Sequence, residues 1–74
     1  MDMSIKEIIS NSLNGTPCEI TRFAYGIEIT FIISYIKQQS VWRIDTRVND
    51  IIVSRKHFSL TTDFVDALEI IGVR

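Results

Sequence analysis

The chain has 74 residues, enough for a single compact domain spanning residues 1–74 and no more. Its 46% hydrophobic and 23% charged residues argue against disorder, and a net charge of −1 is too small to draw it to nucleic acid or anionic membrane in general. Cys18 is the only cysteine and His57 the only histidine, which excludes an internal disulfide and a four-ligand structural zinc site. With neither staple available to so small a domain, oligomerisation is the stabilising device left open.

Ser4-Ile5-Lys6-Glu7 is a capping box, with Met3 and Ile8 placed to close a hydrophobic staple over it. Ile5, Ile8, Ile9 and Leu13 then follow at helical spacing, and Asn14-Gly15 is a suitable stop. The spacing predicts a helix from about Ile5 to Leu13.

The middle of the chain reads as β. Phe23, Tyr25, Ile27, Ile29, Phe31, Ile33 and Tyr35 occupy alternate positions, and β-branched and aromatic residues dominate. Tyr25-Gly26, Gln38-Gln39 and Asn49-Asp50 each offer a two-residue hairpin turn. Together they set a register in which Tyr35 pairs with Trp42, Ile33 with Ile44, Phe31 with Thr46 and Ile29 with Val48. The last hairpin then pairs Val48 with Ile51, Thr46 with Val53 and Ile44 with Arg55. One face collects Ile27, Ile29, Phe31, Ile33, Tyr35, Trp42, Ile44, Val48, Ile51 and Val53. A first strand from about Cys18 to Ala24 fits less well, because it sets Arg22 on that apolar face, at a rim. Leu60-Thr61-Thr62-Asp63 reads as a second helix start, capped by Thr61 or Thr62, with Phe64, Leu68 and Ile71 in one stripe and Gly72 at its end. A short strand over Leu68 to Val73 is the rival there. The fold class expected is α+β: an N-terminal helix, a four-stranded antiparallel meander sheet, and a C-terminal helix, with both helices on the apolar sheet face.

No catalytic motif stands out. His57 could in principle pair with Cys18 as thiol and Asp45 as acid, but no flanking sequence supports a nucleophile site, and a surface or structural histidine is the plainer reading. Cys18 reads as a small buried apolar residue. The glycines are isolated at element boundaries, so no phosphate loop exists. Neither an enzyme, nor a cofactor, nor a metal is expected.

On the register above, Thr30, Ser34, Arg43, Asp45, Arg47, Ser54 and Lys56 point away from the core, as do Ile32, Ile36, Val41, Ile52 and Phe58. Ile36, Val41 and Phe58 adjoin at one end beside Arg43, Arg47 and Lys56, a composition common in interfaces. These six residues form the expected partner surface. The competing reading folds the C-terminal helix over that end. The profile is that of a non-catalytic module that binds a protein and self-associates as a homo-oligomer, as small inhibitory or accessory proteins of phage or bacterial origin do. No secretory or membrane-spanning pattern is present, so the cytoplasm is the expected compartment and no membrane partner is expected.

A short N-terminal helix, the run Tyr25-Gly26-Ile27-Glu28-Ile29 entering a long strand, and Lys56-His57 closing a later one resemble the bacterial Hfq and Sm-like RNA chaperones. That resemblance implies the alternative fold, an Sm-like small β-barrel with an N-terminal helix. It also implies a ring-forming protein that holds RNA through Lys56 and His57. Phe31 and Lys37 stand where that family has its strand-bending glycine and its turn aspartate.

Overall fold

A computed structural model describes residues 3–73. The elements run α1 (Ile5–Leu13), β1 (Cys18–Ala24), β2 (Ile27–Ile36), β3 (Val41–Val48), β4 (Ile51–Phe58) and α2 (Thr61–Ile71). The α+β architecture is as expected. The four strands form one antiparallel meander in the order β1-β2-β3-β4. β1 and β4 remain edges, so the sheet is open and the alternative barrel is not formed.

The capping box is in place at the start of α1. The Glu7 backbone N–H donates to Ser4 Oγ at 3.2 Å, and the Ser4 N–H donates to Glu7 Oε1 at 3.4 Å. Helix α2 starts differently from expectation. Leu60 holds the cap position without a side-chain hydrogen bond, and Thr61 is already helical. At its other end Gly72 turns left-handed, with φ +104°. There the Gly72 N–H donates to the Glu69 carbonyl at 3.0 Å and the Val73 N–H to the Leu68 carbonyl at 3.0 Å. This closing motif brings Val73 back over Leu68, and both are buried. The rival strand over Leu68–Val73 is therefore absent, because the terminal carbonyls are satisfied by the helix stop.

Two of the hairpins turn where expected. Tyr25-Gly26 and Asn49-Asp50 have positive φ throughout, from +50° to +76°, the backbone that matches strand twist. The turn after β2 is wider than Gln38-Gln39 alone. It takes residues 37–40, with Gln39 N–H to Ile36 O at 3.2 Å and Ser40 N–H to Lys37 O at 3.3 Å. It widens equally on both sides, so the β2–β3 register is the one expected, from Tyr35–Trp42 to Ile29–Val48.

The β3–β4 register departs from expectation at one point. Val48 pairs with Ile51 and Arg47 with Ile52, but Thr46 pairs with Ser54, leaving Val53 as the extra residue of a β-bulge. A one-residue insertion turns the rest of a strand over. Ile44 therefore pairs with Lys56 and Trp42 with Phe58, while Asp45 pairs with Arg55 and Arg43 with His57.

Both helices pack on the face carrying Cys18, Ile20, Ile33, Trp42 and Ile44, where Ile8, Phe64, Leu68 and Val73 complete the core. Trp42 is the hub: its ring stacks on Phe64 at 4.2 Å and 7°, and Tyr35 tilts against it at 4.8 Å. Ile27 and Ile51, at the far hairpin ends, stay exposed. Arg22 pairs with Ile29 and is half-buried on the helix side, as its strand position implied. Among the described residues, no helix is long and apolar enough to cross a membrane.

Candidate functional site

Among the described residues, both helices pack on one face of the meander and no element covers the other. The strand pairs order its side chains in rows: Glu19–Ile32–Asp45–Arg55, then Thr21–Thr30–Arg47–Ile52, then Ser34–Arg43–His57, with Ile36–Val41 at one end. Arg43, Arg47, Ile36 and Val41 thus share this open face, as expected. Lys56 and Phe58 do not. The bulge at Val53 carries both to the helix side, where Phe58 lies 6.3 Å from Phe64 and packs on the core. Ser54 turns the same way, and Arg55 and His57 take their places on the open face.

At the centre of this face lies Asp45, only 3% exposed although neither α1 nor α2 covers it. Two arginines lie against its carboxylate. Arg55 donates through Nε to Oδ1 at 2.9 Å and through Nη2 to Oδ2 at 3.1 Å, a two-pronged fork on the carboxylate. Arg43 Nε lies 3.6 Å from Oδ1, near enough for charge but too long for a hydrogen bond. The hydrogen bond to Asp45, and then its charge, hold the Arg55 guanidinium above its ordinary pKa, against a small opposing effect of desolvation. Arg43 Nε and Ser34 Oγ, neighbours across the β2–β3 ladder, are buried atoms without a hydrogen-bond partner.

The face is electrically lopsided. Glu19 and Glu28 lie on its β1–β2 half. Arg43, Arg47 and Arg55 lie on its β3–β4 half beside His57, with Asp45 among them and Asp50 of the β3–β4 turn bordering Arg47. Arg55, like Ser54, Lys56 and Phe58, was set on the wrong face by sequence reasoning. The available signal was its match in charge to Asp45 ten residues earlier, which a bulge is needed to bring opposite.

No family model, curated protein or solved structure matches the chain.

The other sequence-derived groupings come apart in space. Cys18 is buried on the helix side of β1, whereas His57 is exposed on the open face of β4, at the opposite edge. They do not converge with Asp45 into a nucleophile site. Lys56 and His57 point to opposite sides of β4, so no single surface presents the pair that the RNA-chaperone resemblance implied. Among the described residues, no three His, Cys, Asp or Glu side chains gather as metal ligands. A groove of about 350 Å³ runs between α2 and the helix-side face of β3 and β4. Phe31, Ile44, Phe58, Lys56, Asp63 and Asp66 are among its lining residues. Sequence reasoning missed this groove because Lys56 and Phe58 were set on the other face.

Proposed function

We propose that this chain is a non-catalytic protein-interaction module whose binding surface is the open sheet face, around Arg43, Arg47 and the Ile36–Val41 end. The observation that carries this reading is the buried Asp45 fork. A carboxylate taken out of water on the open face has one evident consequence: it holds Arg55 and Arg43 in fixed positions. Side chains ordered in advance lose less entropy when a partner arrives, and arginine is enriched among the residues that dominate interfaces. Ile36 and Val41, half-buried beside Arg43, add apolar contact. The partner is a protein surface with acidic and apolar groups, and the module acts by occupying or bridging that surface. That is how small inhibitory or accessory proteins of phage or bacterial origin work, and self-association belongs to the same reading.

Arg47→Glu and Val41→Asp test it, since neither residue belongs to the core. Both variants are expected to keep the parent's circular dichroism and melting temperature. Both are also expected to weaken binding at least about tenfold to a partner first isolated by affinity capture and then titrated in pure form. A partner bound equally well by parent and variants would overturn the assignment of this face.

A further inference from the structure

We infer that a second copy of this chain docks on the open face, sheet against sheet, related by a twofold axis that runs along the strands between β2 and β3. The inference rests on the interaction-module reading and names its partner.

A symmetric dimer uses the same patch on both copies, so the patch must complement itself. Two simple arrangements stack one sheet face on another. An axis across the strands through the Asp45 row lays β4 over β4 and β1 over β1, and brings Arg55 against Arg55 and Glu19 against Glu19, like charge on like. An axis along the strands lays β1 over β4 and β2 over β3. The acidic half, with Glu19 and Glu28, then covers the basic half, with Arg43, Arg47 and Arg55.

The rows make the second arrangement specific. Glu19 and Arg55 end the same row, so each copy's Glu19 meets the other's Arg55. Ser34 and Arg43 share a row, so the unpartnered Ser34 Oγ of one copy lies opposite the other's Arg43. Ile36 likewise meets Val41, which closes the apolar end. Sheets packed this way keep their strands within about 30° of each other, so the rows remain close to alignment.

The size of the face agrees with a reversible dimer. Four strands of about eight residues span about 19 Å by 26 Å, so the pair buries about 1,000 Å², the lower limit for a specific interface. Pairing edge to edge through β4 is less suitable, because the bulge at Val53 interrupts the ladder that a second copy would extend.

Sedimentation of the full chain at low salt is expected to give a monomer–dimer equilibrium, weakened several-fold by 0.5 M salt. Glu19→Lys, on an exposed edge position, is expected to weaken the dimer about tenfold without changing the melting temperature of the monomer. Arg55→Lys supplies an amine for a zero-length carbodiimide cross-link. Within one chain, positions 19 and 55 lie three strand spacings apart, about 14 Å, beyond the reach of such a link. A cross-linked dimer joined through Glu19 and position 55 is the expected product. A parent that stays monomeric at millimolar concentration overturns the self-docking while leaving the face to a foreign protein. A dimer that is insensitive to Glu19→Lys and lacks that link overturns the proposed axis.

Discussion

Deleting Val53 separates the bulged sheet from a regular hairpin. Val53 is the extra residue between the pairs Arg47–Ile52 and Thr46–Ser54, and it is 60% exposed. Its removal leaves both flanking pairs able to meet in one continuous ladder, with Arg55 still opposite Asp45 and Phe58 still against Phe64. A fully buried valine contributes about 1.5–3 kcal/mol, so one that is less than half buried contributes about 1 kcal/mol, offset in part by the straighter ladder. In a hairpin without a bulge, the same deletion would shift every later residue of β4 by one place. Val53 would there face the helices opposite Thr46, so its loss would remove a buried valine, worth about 1.5–3 kcal/mol, and would add the cost of repacking β4 turned over against the helices. A domain of this length holds roughly 4–11 kcal/mol in total, so one outcome is a folded protein and the other is close to collapse. Urea unfolding followed through Trp42 fluorescence is expected to register a loss of no more than about 1 kcal/mol. A loss of 3 kcal/mol or more would refute the bulge and, with it, the composition of the open face.

Ser4→Ala is expected to cost about 0.5–2 kcal/mol, because the Glu7 N–H loses its acceptor; an unchanged thermal midpoint would remove the cap from the account of α1. Trp42, 4% exposed between Tyr35 and Phe64, is expected to emit toward the blue and resist iodide quenching, whereas water-like emission would contradict the stacked geometry. Ile33→Ala is expected to cost about 2–5 kcal/mol, enough to unfold much of the population, and calorimetry measures it directly.

The parts of this protein that the sequence by itself determined are those governed by near neighbours in the chain. Helix α1 is written in four capping residues and a repeat of isoleucines, and its Ser4–Glu7 box forms as the spacing requires. The β2–β3 register follows from a turn centred between Gln38 and Gln39. A hairpin's pairing is fixed by where its loop is centred, so the register holds even though the loop is wider than two residues. Arg43, Arg47, Ile36 and Val41 keep the face assigned to them for the same reason.

Tertiary structure decided the rest of β4. Ile51-Ile52-Val53 alternates no more clearly with a bulge than without one, so local composition carries no sign of the extra residue. Two distant demands agree with it: Phe58 packs toward Phe64 of a helix that forms later in the chain, and Arg55 lies over Asp45 on the adjacent strand. Both hold in the bulged register, and both fail when Val53 pairs with Thr46. The site was therefore half legible. Its β2–β3 half follows from one turn, whereas its β4 half depends on packing and charge between segments that meet only in the folded chain.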